Sequence, residues 1–202
     1  MARRYAPTNG RASSAQTVER VLDAAVELVA QDAFHTATMD DLAERAGVSR
    51  ATLFTRFGSK LGVLEALSVR CAGGPEMRAI RAAQALDDPI EALDALIEAG
   101  CELWETQGFI LIQLKAIVVL EPDASATIDE QFADQHDGSQ RIARALHGAG
   151  LLRDGWTVNQ AAAALHATMS VESFLYLRRD YGLSLAKVKA TMHEQARAFI
   201  RP

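Results

Sequence analysis

The stretch TMDDLAERAGVSRATLFTRFGSK, residues 38–60, decides the fold. Thr38 followed three residues later by Asp41 reads as a capping box, with a hydroxyl for an orphan N–H and an acid that favours a helix start. The helix it opens, through Met39, Leu42, Ala43 and Ala46, stops at Gly47. Only Val48 intervenes before Ser49 caps a second short helix, which ends near Phe57 and Gly58. Two short helices joined through Ala46-Gly47-Val48 make a helix-turn-helix pattern. Ala43 is small enough for close approach, and Gly47 suits a left-handed turn position. Val48, Leu53 and Phe57 can pin the second helix onto the core. Arg50, Ala51, Thr52, Thr55 and Arg56 are then left facing away from it.

Working outward, the rest of the chain also reads as helix. Upstream, Val18, Val21, Leu22, Ala25, Leu28 and Val29 form one apolar stripe in a helix from Ser13 to about Gln31. Downstream, Ser59 caps a helix through Leu61, Leu64, Leu67 and Cys71 that Gly73-Gly74-Pro75 breaks or kinks. Asp88-Pro89 with Glu91 starts another, running to about Thr106. Phe109–Leu120 is nearly all apolar and reads as a separate buried helix ending before Pro122. Further helices are expected over 124–147, over 157–179 behind Thr157 and Gln160, and over 184–199 behind Ser184. No strand alternation, hairpin signal or internal repeat interrupts this, so the fold class is all-α.

Composition bounds the function. Apolar residues make up 49% of the 202-residue chain and charged residues 23%, enough for a packed core. Cys71 and Cys101 stand alone, which fits a reducing compartment and excludes a disulfide framework or a cysteine metal site. No window approaches the roughly 20 apolar residues of a membrane span. The arginines of residues 1–12 are followed by no apolar run, so no secretory signal is read there and a cytoplasmic protein is expected. The net charge of −5 is unevenly spread: residues 1–60 carry +1 and residues 61–202 carry −6. Between Glu44 and Glu65 there is no acid, yet Arg45, Arg50, Arg56 and Lys60 fall there. A basic window on an acidic body suits a small face for phosphates.

Residues 38–60 resemble the DNA-binding segment of TetR-family regulators, and the resemblance extends over roughly residues 13–70. It implies a three-helix DNA-binding domain, a fourth helix linking it onward, and a larger helical ligand-binding and dimerisation domain. On that pattern residues 1–12 are a flexible basic arm, 13–58 the helix-turn-helix domain, 59–75 the linking helix and 76–202 the effector and dimer domain. The implied partners are double-stranded operator DNA, a largely apolar small-molecule effector and a second copy of the chain, with no cofactor and no metal. Ser49 to Phe57 becomes the recognition helix. Arg50, Thr52, Thr55 and Arg56 are its contacts to base edges or phosphates, Ala51 permits close approach, and Ser49 caps it. Thr38 and Lys60, at helix starts, are expected to hold phosphates. Phe54 stands where the family usually has tyrosine, so a hydroxyl contact to phosphate is lost while a thymine methyl remains reachable. Arg3, Arg4 and Arg11 suit either a minor-groove arm or plain disorder.

For the second domain, the candidate pocket residues are Trp104, Phe109, Gln113, Phe132, His136, His166, Met169, Ser170 and Phe174, aromatic walls with a few polar groups. Each aromatic taken singly also suits plain core packing. The candidate dimer contacts are Ala161, Leu165, Leu175, Leu185, Val188, Met192, Ala196 and Phe199, some of which must also serve packing within the chain. Such a dimer sets its two reading heads about 34–36 Å apart. An enzyme is not expected: His35, His136, His147, His166 and His193 are scattered, and no HExxH, GxSxG, P-loop or dinucleotide fingerprint occurs. The alternative to an operator-binding regulator, a repressor on the family pattern, is a ligand- or protein-binding module of the same fold that no longer reads DNA.

Overall fold

Caps written in the sequence set where the helices begin. The computed structural model describes residues 9–31, 33–120 and 125–201, with the backbone alone at 9–13, 114, 117–120 and 125–136. Among these the chain forms ten α-helices: α1 (Asn9–Ala30), α2 (Met39–Ala46), α3 (Arg50–Phe57), α4 (Lys60–Ala72), α5 (Pro75–Gln84), α6 (Pro89–Leu120), α7 (Ser125–Gly148), α8 (Val158–Thr168), α9 (Val171–Leu175) and α10 (Leu185–Arg197). A π-helical turn, Tyr176–Asp180, follows α9. The chain divides into two compact units, Met1–Val69 and Arg70–Pro202, with the boundary inside α4.

In the first unit, the predicted stripe of α1 buries Val21, Leu22, Ala25, Leu28 and Val29 together with Leu42, Ala43, Leu53, Val63, Leu64 and Leu67. Each fully buried aliphatic side chain stabilises the unit by roughly 1.5–3 kcal/mol relative to exposure. α2 ends in a Schellman turn. Gly47 sits at φ 61°, its N–H reaches Glu44 O at 3.0 Å, and the Val48 N–H reaches Ala43 O at 3.0 Å. The Arg20 guanidinium donates to the Gly47 carbonyl at 3.4 Å, tying α1 to that turn.

In the second unit, α6 is the element on which α5, α7, α9 and α10 pack. Its length differs from expectation. Residues 89–120 form one 32-residue helix where two were predicted, because Gly108 does not end a helix here. A Cβ at Gly108 would lie 3.2 Å from the Val171 side chain, so the glycine lets α9 approach the helix closely. The helix predicted over 157–179 is instead broken at Met169 and Ser170. Ser170 caps α9, and the freed Met169 carbonyl accepts from the Trp104 indole at 3.0 Å. α5 was not predicted at all. Its Pro75 occupies the first turn, and Arg78 and Arg81 donate back to the Gly73 and Ala72 carbonyls at 2.7 and 3.1 Å, satisfying the end of α4. An isolated antiparallel bridge between Leu152 and Ile200 closes the unit.

Candidate nucleic-acid interface and effector cavity

The first unit presents α3 with its apolar side inward and its polar side out. Leu53 is fully buried, while Arg50, Ala51, Thr55 and Arg56 are exposed and Thr52 is half-buried. The Ser49 hydroxyl accepts from the Thr52 N–H at 3.1 Å and lies 2.8 Å from the Thr52 hydroxyl, so Ser49 acts as the cap. The Thr55 hydroxyl donates to Ala51 O at 2.7 Å. Arg50 is restrained from two sides: it pairs with Asp40 of α2 at 2.6 Å, and its guanidinium lies 5.2 Å from the centre of the exposed Phe54 ring.

Thr38 forms the predicted capping box, its N–H and hydroxyl both donating to Asp41 at 2.7 Å. Those two bonds, the backbone one first, hold the Asp41 carboxyl below the usual carboxylate range. Lys60 is placed differently from its expected phosphate role. Its ammonium donates to the carbonyls of Phe34, His35 and Ala37 at 3.2, 2.9 and 3.1 Å. An ammonium has three N–H donors, and all three are engaged in closing the turn between α1 and α2. Arg3 and Arg4 lie outside the described residues, as does the Arg11 side chain.

The second unit contains a cavity of about 110 Å³, walled by the last turn of α4 (Cys71, Ala72), α5, α6, the middle of α7 and Met169. Of the expected pocket residues, Trp104 and Met169 line it. Those of the others that are described lie elsewhere. Phe174 is buried in the core, Ser170 caps α9, and the Arg179 guanidinium stands 4.5 Å over the Phe109 ring. Gln113 and His166 are half-buried away from the cavity walls, and the side chains of Phe132 and His136 lie outside the described residues. The walls that were missed carry a readable signal. Met77, Ile80 and Gln84 recur at helical spacing on α5, and Leu96, Gly100, Leu103, Gln107 and Leu111 do so on α6.

Polar groups around the cavity are mostly satisfied within the protein. Besides the Trp104 and Arg81 bonds already given, Gln84 accepts from Arg141 at 3.3 Å. Gln107 differs: its amide nitrogen donates to Glu76 at 3.1 Å, but its Oε1 is buried without a hydrogen-bond partner. Burial pushes the Cys71 thiol up to about 11 and that of Cys101 up to about 12, so both remain protonated thiols. Among the described residues no group of His, Cys, Asp and Glu is placed to hold a metal ion, and no helix is long and apolar enough to cross a membrane.

The family model for bacterial regulatory proteins of the TetR family matches residues 21–67, from the core stripe of α1 to that of α4. Residues 21–67 are thus similar to the DNA-binding segment of the TetR family. Among curated relatives, the HTH-type transcriptional activator FasR of Mycolicibacterium smegmatis is 32% identical over 111 residues, 54% of this chain and 50% of that protein. An HTH-type transcriptional regulator of Bacillus subtilis, YvkB, is 43% identical over 51 residues, 25% of this chain and 27% of that one. The chain thus spans a quarter to a half of the length of these HTH-type relatives. Across whole structures, a transcriptional regulator from Saccharomonospora viridis solved with choline superposes with a TM-score of 0.77 at 20% identity, covering 94% of this chain and 100% of that one. At that identity the likeness shows the fold alone.

Proposed function

We propose that this protein is a cytoplasmic, ligand-responsive transcriptional regulator that binds a palindromic operator as a homodimer and leaves it when a small apolar molecule enters the cavity. The observation that carries the reading is α3, a capped two-turn helix whose outward face offers Arg50, Ala51, Thr52, Thr55 and Arg56 over a buried Leu53. A short helix with arginines at both ends and small residues between them suits a major groove. The largely apolar cavity supports the ligand half of the reading, and the choline complex shows that the S. viridis protein of this fold holds a small molecule.

In the proposed mechanism, the ligand presses on Cys71 and Ala72, the last turn of α4, and so biases the position of that helix. The shift is limited by the ligand's differential affinity for the two arrangements. Repression is the proposed sign; FasR is named as an activator, so a reporter assay with and without the protein sets the sign. The second reading, a module of this fold that no longer reads DNA, has two observations in its favour: Arg50 is held by Asp40, and Lys60 is held by carbonyls. Selection of bound sequences from a random duplex pool decides between them, with Arg50→Ala/Arg56→Ala as control. A palindrome enriched by the wild type and lost in the control supports the regulator. No enrichment at low salt overturns it.

A further inference from the structure

The second unit's cavity carries information about which molecule it takes. Its walls are apolar apart from a few side chains, and of the polar groups described above Gln107 Oε1 is the acceptor left without a hydrogen-bond partner. The orientation of that amide is fixed by chemistry. Glu76 is a carboxylate and demands a donor, so the nitrogen of Gln107 must face it at 3.1 Å and the oxygen must face the other way. Glu76 is itself held in place. It follows the Gly73-Gly74-Pro75 corner, where a Cβ on Gly74 would lie 2.9 Å from the Glu76 Oε2 and 3.4 Å from the Gln107 Nε2. The glycine leaves room for the pair.

Two donors of the cavity wall are engaged elsewhere. The Trp104 indole donates to Met169 O, and Arg81 donates to Ala72 O. Oε1 itself has almost no accessible surface. A buried acceptor left unpaired is unfavourable, and a partner that donates to it recovers that loss. Beside Gln107 an anion is disfavoured, because the Gln107 oxygen and the Glu76 carboxylate are both negative toward it and the Arg81 guanidinium that also lines the cavity is turned to the Ala72 carbonyl.

We infer that the cavity selects an uncharged, largely apolar molecule bearing one hydrogen-bond donor, a hydroxyl or an N–H, and that Gln107 is the residue that reads the donor. This rests on the cavity being the effector site. For Oε1 to meet the bound molecule the Gln107 side chain turns, and its nitrogen shifts relative to Glu76 at the same time. The scale of the ligand follows from volume: an apolar cavity of about 150 Å³ takes benzene, and this one is about 110 Å³. One ring or a short branched chain is the matching size.

Three one-ring probes test it on the full chain: phenol, toluene and benzoate, with affinities from calorimetry and ligand-dependent melting. Phenol is expected to bind at least about tenfold more tightly than benzoate. In Gln107→Met, toluene affinity is expected to stay within about threefold of wild type while the phenol-to-toluene ratio falls about tenfold, one lost hydrogen bond's worth. Gln107→Leu provides a second apolar variant, and the wild-type ranking stands even if both variants fold poorly. An unchanged ratio in a folded variant, or benzoate binding as tightly as phenol, overturns the assignment while leaving the cavity a ligand site. Binding of none of the three to the wild type overturns the assignment, and with it the effector role of the cavity.

Discussion

Arg50 illustrates how one contact can set the behaviour of a reading head. It is an exposed residue paired with an exposed acid, so the pair adds little to stability. Its consequence is positional: Asp40 holds the guanidinium over Phe54 and places a negative charge beside the proposed phosphate-facing surface. Asp40→Asn is therefore expected to strengthen binding to random duplex several-fold. The slope of log affinity against log salt should steepen by about one as Arg50 becomes available to phosphate. The ratio of operator to random affinity should fall. Titrations at four or five salt concentrations on both duplexes measure all three, and an unchanged slope removes the role given to Asp40. Lys60 leads to the opposite expectation. With its three donors on the carbonyls of Phe34, His35 and Ala37, Lys60→Met should leave the salt slope unchanged. It should cost about 1–2 kcal/mol in urea unfolding, since charged hydrogen bonds are lost. A slope reduced by about one would return Lys60 to the phosphate.

At the scale of the element, the ion pairs between α6 and α10 form a ladder. Lys189 sits 2.8 Å from Glu98 and 2.6 Å from Glu102, His193 bridges Asp94 and Glu98, and Arg197 pairs with Asp94. Glu98 is held below its ordinary 4.5, mainly by its hydrogen bond to Lys189, so its contribution is complete above 4.5 and fades as pH falls through the lowered value. Lys189 is pushed from 10.5 up to about 12 by Glu102 and Glu98, so its contribution is complete below 10.5 and fades as pH rises through about 12. The stability gap between wild type and Lys189→Met should thus be widest between about pH 5 and 10 and narrow on both sides. Urea titrations at pH 3, 7 and 11 check this, and a gap independent of pH rules the ladder out. Sequence made the helices with strong caps legible: Thr38, Ser49, Thr157 and Ser184 each cap the helix predicted behind them. It did not reveal α5, which lies between two breaker clusters, nor the break at Met169. That break depends on an indole 65 residues away, and no local pattern encodes it.

At the scale of the whole molecule, the proposed dimer depends on which faces remain uncovered. Of the eight residues expected at the interface, Ala161, Leu165, Val188, Met192, Ala196 and Phe199 are buried in the chain's own core, and Leu175 and Leu185 are half-buried. Apolar periodicity identifies a buried face without saying whether the same chain or a second copy buries it, which is why these residues were legible only as apolar. The site in α3 was easier to read because its cue is polarity on a short capped helix. Once the core face of α10 and the ladder face toward α6 are assigned, its exposed residues include Ala186, Ala190 and Glu194; on α8 they include Asn159, Ala163 and Ala167. Small side chains at four-residue spacing let helices from two copies approach closely across a two-fold axis. Ala163→Glu/Ala190→Glu is expected to yield a monomer with wild-type helicity, because both residues are exposed and an acid there disturbs nothing inside the chain. Met192→Glu should instead unfold the second unit, since it puts a charge into a fully buried position. Sedimentation velocity and circular dichroism on both variants separate the two effects. A folded monomer should also lose operator affinity by about 10²–10⁴, because two linked heads bind far more tightly than one. A double variant that remains dimeric would move the interface off these faces, while a monomer that keeps full operator affinity would mean that one head suffices.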